Sequence, residues 1–361
     1  MGMNEAPDEL KQRVAKRKAV LLVGAGVSAR ATGNRVASWT GLLEDGVGFC
    51  EEHVNALPGG WGDRVRADIA SGDQDDLLIA AEKITRKLGS PANLLWWLRD
   101  TIGTLEVTTR DVLDAIAALD LPIMTTNYDR LLEAVTDRPP VHWREEEKVQ
   151  RVLAEDEPGI IHLHGWYEDP ESIVLDIRSY ERVVNSEFMR TTLQSTAYYK
   201  SIVFIGFGSG LDDPNFSRFR LWIRDVLSQA TNRHYRLCRT AELERLVRDH
   251  KADSFLRVLP FGARDDELAT YLRSLAPGKP GLGAALHSAQ APPPIAGVAD
   301  SPPASPMTDG ERTRSLSTVP VAQVLPGSAQ PSYDQASTAQ REAVEQHAPK
   351  LMEAYRRTQR E

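Results

Sequence analysis

The chain has 361 residues and is 41% hydrophobic, long enough to bury one large core or two. Its formal net charge of −8, with no basic stripe interleaved with aromatics, argues against direct nucleic-acid binding. Its two cysteines, Cys50 and Cys238, are far apart and offer neither a disulfide framework nor a zinc ribbon; no apolar run approaches membrane-spanning length. Met1 to Ala6 carries no signal peptide, and Ala6 breaks the myristoylation pattern, so a cytoplasmic protein is expected.

Asp8 to Lys18 reads as a short amphipathic helix. Ala19 to Val23 is an unbroken apolar run, as expected of a strand buried on both faces of a parallel sheet. A glycine turn follows, Gly24-Ala25-Gly26-Val27-Ser28, and opens into a helix. Such a turn lets backbone N–H groups and a helix N-terminus approach a pyrophosphate, and Ala29 completes the dinucleotide spacing. An ordinary dehydrogenase would then place an acidic residue at a second strand end to hold the ribose. Glu44 and Asp45 have the right spacing, but Ser38 reads as an N-cap and puts both on a helix. The ribose must be held by something else.

Helical patterning dominates from Trp39 to Leu119, broken near Leu57 to Gly60 and at Ser90-Pro91. This predicts a helical insertion, about residues 45–105, between the first two strands. Trp96 and Trp97 within it read as packing residues. Further buried strands are predicted at Leu121–Thr125, Gly159–Leu163, Ser201–Phe207, Tyr235–Cys238 and Leu256–Phe261. Helices at Arg110–Leu119, Pro214–Ala230 and Ala241–His250 alternate with them. The alternation implies an α/β fold with a doubly wound, mostly parallel, Rossmann-like sheet over residues 1–275. Residues 276–333 are expected to be a disordered linker, since Pro277 to Pro331 holds eleven of the 22 prolines. Residues 334–361 are helix-prone and are expected to form a frayed tail or a docking helix for a regulatory or sensor protein.

Polar residues gather at the strand ends. Thr125-Thr126-Asn127-Tyr128-Asp129 ends the second predicted strand, where Asn127 and Asp129 could equally be helix caps. His162-Leu163-His164-Gly165 ends the next, and period-two alternation puts both histidines on one side. A metal site would need a third ligand at a persuasive spacing, and none is present, so no metal is expected. A second glycine-rich turn, Gly206-Phe207-Gly208-Ser209-Gly210, precedes Asp213-Pro214, a cap and first helical residue.

Taken together, Gly24 to Ser28, Thr126 to Asp129, His164-Gly165 and Gly206 to Pro214 resemble the sirtuin-like (silent information regulator) family. The likeness, over about Ala19 to Leu275, is to its bacterial NAD-hydrolysing, antiphage-defence branch. It implies that Gly24, Ala25, Gly26 and Ser28 hold the NAD phosphates. It implies that Asn127 and His164 are catalytic, Asn127 positioning the nicotinamide ribose and a water and His164 acting as base. Thr126 and Asp129 would support the cofactor site, and Gly206 and Ser209 would meet the adenosine side, although this turn is two residues longer than usual. The deacylases' four zinc-binding cysteines are missing, and Arg35-Val36-Ala37-Ser38-Trp39 stands where they carry Pro-Asp-Phe-Arg. The expected activity is therefore NAD cleavage to ADP-ribose and nicotinamide, with NAD as substrate. The alternative is a non-catalytic NAD or ADP-ribose sensor. Trigger, partner and oligomeric state, a homo-oligomer included, stay open.

Overall fold

The computed structural model describes residues 5–207, 232–251 and 253–276. The expected helix at Pro214–Ala230, the linker and the C-terminal helix lie outside these residues, as does Ser209. Seven parallel strands form one sheet: β1 (Ala19–Val23), β2 (Ile123–Thr125), β3 (Pro140–His142), β4 (Ile160–His162), β5 (Ser201–Ile205), β6 (His234–Arg239) and β7 (Leu256–Gly262). Their spatial order is β3-β4-β2-β1-β5-β6-β7. The chain places β2, β3 and β4 on one side of β1, then returns to place β5 on its other side. The strand order therefore reverses between β1 and β5, and α/β sheets bind ligands at such a switch point, beyond the carboxyl ends of the strands.

The doubly wound architecture follows from two-sided burial. Leu21 and Val23 of β1 join Ile123, Ile160, Val203 and Tyr235 in one core layer. Covering that layer are α1 (Glu5–Ala15), α2 (Ala25–Thr32), α7 (Asp111–Ala117) and α13 (Glu267–Leu275), through residues such as Leu10, Val27, Leu113 and Leu272. Val20 and Leu22 point the other way and pack with Met124, Ile161, Ile202 and Phe204. That second layer is closed by α9 (Glu146–Ala154), α10 (Ile177–Val184) and α11 (Glu187–Tyr199), through Val149, Tyr180 and Leu193. Continuous apolar runs are what strands covered on both faces require. Two short helices, α8 (Glu133–Thr136) after β2 and α12 (Leu243–Asp249) before β7, complete the strand connections among the described residues outside the insertion.

The strand expectations hold to within a few residues, with one omission. β3 is three residues long and contains Pro140, a residue that argues against a strand in sequence. It lies at the sheet edge beside β4, the position where a missing N–H is tolerated. The first helix starts at Glu5 and ends at Ala15, three residues earlier than expected at each end.

The helical insertion is α3 (Trp39–His53), α4 (Trp61–Ser71), α5 (Gln74–Leu88) and α6 (Pro91–Thr101). Ser38 caps α3 by accepting from the Gly41 N–H, so Glu44 and Asp45 do lie on a helix. Trp97 is fully buried, whereas Trp96 is half exposed. The Trp97 indole N–H donates to Asp45 Oδ1 at 2.7 Å, and the Thr101 hydroxyl donates to the same oxygen at 2.8 Å. Asp45 thus anchors the insertion rather than a ribose. Asp45→Ala leaves the buried indole N–H without its acceptor and is expected to lower stability by about 1–3 kcal/mol. Denaturant unfolding at unchanged m-value checks this.

Candidate active site at the strand ends

Four strand ends converge. After β1, Gly24 has extended backbone and serves as N-cap of α2, without a capping side chain. After β5, Gly206 has φ +75°, a left-handed conformation that favours glycine. The two turns touch through backbone: the Gly26 N–H donates to the Gly206 carbonyl at 2.9 Å, and the Gly24 N–H to the Ile205 carbonyl at 2.8 Å. A Cβ on Gly26 would stand 2.6 Å from the Gly206 carbonyl oxygen. This glycine is therefore required by the neighbouring turn, a reason that spacing alone did not reveal. Gly26→Val is expected to lower the melting temperature through that collision, whatever it does to ligand binding. Thermal unfolding of the purified variant measures it, and an unchanged Tm would disprove the collision.

The segment after β2 supplies the centre of the site. The Asn127 side-chain amide donates from Nδ2 to the Gly24 carbonyl at 3.2 Å and to Ser28 Oγ at 2.8 Å. Ser28 in turn donates to Asp129 Oδ2 at 2.7 Å, and the Leu131 N–H donates to Asp129 Oδ1 at 3.1 Å. Because the Gly24 carbonyl can only accept, the amide orientation is fixed with nitrogen toward the glycine turn. The Asn127 N–H donates to Thr125 Oγ1 at 3.0 Å, and the Asn127 carbonyl lies 2.8 Å from His162 Nδ1. Every polar atom of Asn127 except Oδ1 is engaged. Oδ1 is buried and has no hydrogen-bond partner among the described residues.

Asp129 combines both sequence readings, a turn cap through Oδ1 and a support for Ser28 through Oδ2. Burial raises its pKa above the usual carboxylate value, against the opposing hydrogen bonds from Ser28 and Leu131.

His162 and His164 part company. His162 is the last residue of β4, and its Nε2 lies 2.7 Å from Glu133 Oε1 at the start of α8. Burial disfavours its imidazolium, but the Glu133 hydrogen bond and charge outweigh burial and raise its pKa. His164 follows in the turn, whose Gly165 has φ +77° and packs directly on the Ser172 backbone. The Val174 N–H fixes the His164 carbonyl at 2.9 Å. Burial pushes the His164 pKa down to about 4.

One pocket gathers these pieces. Ala25, Thr126, Asn127, Tyr128, Asp129 and His164 line it from the strand ends. Val36, Ala37, Ser38, Trp39, Leu42 and Ile102 close the other side, from the turn before α3, from α3 and from the end of α6. These six were not singled out as site residues in the sequence; they are mostly apolar, and only folding brings the insertion over the strand ends. Glu133 was missed for a related reason, since a glutamate early in a helix ordinarily faces solvent. A larger depression lined by Thr85, Ser90, Arg144 and Arg182 contains none of the strand-end residues, so the smaller one is the candidate site.

Of the expected residues, Ala25, Thr126, Asn127, Asp129 and His164 line the pocket directly. Gly24 and Ser28 are bonded to Asn127, while Gly26 and Gly206 meet each other behind the turn. Cys50 and Cys238 are both buried free thiols, each with its pKa raised to about 11 by burial. Among the described residues, no group of three or more His, Cys, Asp or Glu could hold a metal ion, and no helix is long and apolar enough to cross a membrane.

The depressed pKa of His164 has a consequence for stability. Between the folded value of about 4 and the unfolded value of 6.5, the unfolded chain binds more protons. His164 therefore contributes stability that is fully present above pH 6.5 and lost as pH falls toward 4. His164→Asn is expected to flatten that acid-side decline in part, His234 being similarly depressed by burial. Denaturant unfolding across this pH range provides the comparison.

Residues 122–259, from the start of β2 into β7, match the family model described as a SIR2-like domain. The matched segment includes Thr126 to Asp129, His162, His164 and Gly206, and it stops short of the Gly24–Ser28 turn. SIR2-like domains use NAD, and the match supports sirtuin-like kinship and an NAD-related activity in general.

Proposed function

We propose that this protein is an NAD glycohydrolase that releases nicotinamide and ADP-ribose, acting in the cytoplasm as an effector of bacterial antiphage defence. The observation that carries the reading is Asn127. Its backbone and amide nitrogen are held on all sides while one buried acceptor, Oδ1, is left for a ligand in the pocket that His164 also lines. A buried polar atom without a partner carries a desolvation penalty, which a ribose hydroxyl or an attacking water would relieve.

The reaction needs little beyond placement. The bond between ribose C1′ and the nicotinamide nitrogen breaks, and its electron pair leaves with nicotinamide, which becomes neutral. The sugar passes through an oxocarbenium-like state that a water oxygen captures at C1′. The water's proton passes to His164, whose depressed pKa keeps the imidazole neutral throughout the physiological range, though as a weaker base than a free histidine. NAD itself would be held by its phosphates against the Gly24–Ser28 turn, at the positive end of α2. The mostly apolar roof from Val36 to Leu42 would exclude bulk water around the reacting carbon.

The whole chain has two cysteines, so it cannot form the four-cysteine zinc ribbon of the deacylases, which disfavours protein deacylation. Residues 334–361 remain our candidate for contact with a regulatory or sensor protein.

Asn127→Ala and His164→Ala are each expected to reduce nicotinamide release by about 100-fold or more, as loss of a positioning or proton-accepting group does. Nicotinamide release and thermal stability should be measured on the same preparations. Full turnover by folded Asn127→Ala would refute the assignment. NAD binding without any nicotinamide release by the unaltered protein would favour a sensor instead.

A further inference from the structure

The chemistry outlined above makes no direct use of the most deeply buried ionisable pair in the site, His162 and Glu133. Both are buried, His162 completely, and neither lines the pocket. His162 bridges two elements: Nδ1 is 2.8 Å from the Asn127 carbonyl, and Nε2 is 2.7 Å from Glu133 Oε1.

A carbonyl oxygen only accepts, so Nδ1 must carry a proton for the first contact to be a hydrogen bond. Two arrangements then satisfy the second contact. Either an imidazolium donates to the Glu133 carboxylate, or a protonated Glu133 donates to the neutral ring at Nε2. Both leave the proton on Nδ1. Without Glu133 the neutral ring can hold its proton on Nε2, and the Asn127 carbonyl then loses its donor.

Stability alone does not account for such a pair. Burying two ionisable groups incurs a desolvation penalty that an apolar pair of similar volume avoids. Moreover, Glu133 Oε2 is itself buried without a partner among the described residues, an arrangement that a pair selected for stability would not favour. What the pair does achieve is local. The Asn127 N–H is held by Thr125 and the amide nitrogen by Gly24 and Ser28, so the carbonyl is the remaining handle on this residue. The carbonyl's position fixes the backbone on the C-terminal side of Asn127 and hence the direction of the side chain.

We propose that Glu133 and His162 form a positioning pair, in which Glu133 sets the histidine tautomer and His162 Nδ1 holds the Asn127 carbonyl so that Oδ1 keeps its reactive pose. The proposal rests on the reading of this pocket as the site of NAD cleavage. Neither residue touches substrate. Glu133 acts through His162, and His162 through the backbone of Asn127.

The distinguishing experiment is a comparison of Glu133→Ala, Glu133→Gln and His162→Phe in the full chain. Glu133→Ala frees the tautomer, and kcat is expected to fall about tenfold or more with KM within about twofold, because misplacement of a reacting group weakens the transition state rather than ground-state binding. Glu133→Gln can still donate an amide N–H to Nε2, which keeps the proton on Nδ1, and kcat is expected to return to within about threefold of the unaltered protein. His162→Phe preserves ring shape without the donor and should reproduce the alanine variant; it also decides the matter if Glu133→Ala does not fold. Turnover per folded molecule that is unchanged in Glu133→Ala, or equally impaired in the alanine and glutamine variants, overturns the proposal. The side-chain amide resonance of Asn127, assigned by its loss in Asn127→Ala, gives a readout independent of turnover. It is expected to move in Glu133→Ala and to stay in place in Glu133→Gln. If the unaltered protein releases no nicotinamide, the functional reading fails, and this resonance alone judges the pair: no movement overturns it.

Discussion

The arrangement depends on a contact between two backbones. Gly26 and Gly206 belong to turns at the ends of β1 and β5, adjacent strands at the switch point of the sheet. Their hydrogen bond and their lack of side chains let the turns meet directly. Once they meet, the Gly24 carbonyl faces the loop after β2 and becomes an acceptor for Asn127. From there the order propagates through Ser28 to Asp129 on one side, and through the Asn127 carbonyl to His162 and Glu133 on the other. A side chain at either glycine would part the strand ends and displace Asn127 from both its anchors.

This chain of dependence explains why the site is built from small, short-range groups. The polar atoms of threonine, serine, asparagine and aspartate lie only two or three bonds from the backbone, so each contact reports directly on strand placement. Thr125 shows the economy: its hydroxyl donates to the Val23 carbonyl of the neighbouring strand and accepts from the N–H of Asn127. The parallel register that pairs Val23 with Thr125, and Thr125 with His162, sets the heights of the three strand ends that hold Asn127 and its partners.

Much of the framework was legible in the sequence, for identifiable reasons. Strands β1, β2, β4 and β5 announce themselves because burial on both faces demands apolar runs, while β6 and β7 still show through apolar residues set around Arg236 and Arg257. Asn127, Asp129 and His164 could be singled out because polar residues at the ends of such runs are conspicuous. The rest depends on long-range pairing that no local pattern encodes. Edge strand β3 was hidden by Pro140, which is excluded from central strands and admitted at edges, a distinction invisible until the order of strands is known. Glu133 gave no signal because its partner is a histidine 29 residues away. Gly26 was recognised for the right spacing but for an incomplete reason, since the group its missing side chain accommodates is the Gly206 carbonyl.

The pocket has two halves of separate origin. Its floor is the strand ends after β1, β2 and β4, whereas its roof comes from the turn before α3, from α3 itself and from the end of α6. The floor is tied together by hydrogen bonds that tolerate almost no change. The roof contributes mainly apolar surface, and Trp97 and Asp45 secure its helices at a distance from the strand ends. Substitutions in the roof can thus alter which molecules gain entry, and how readily, while the bond-breaking groups keep their geometry. Selection could retune admission and chemistry on separate schedules within one fold.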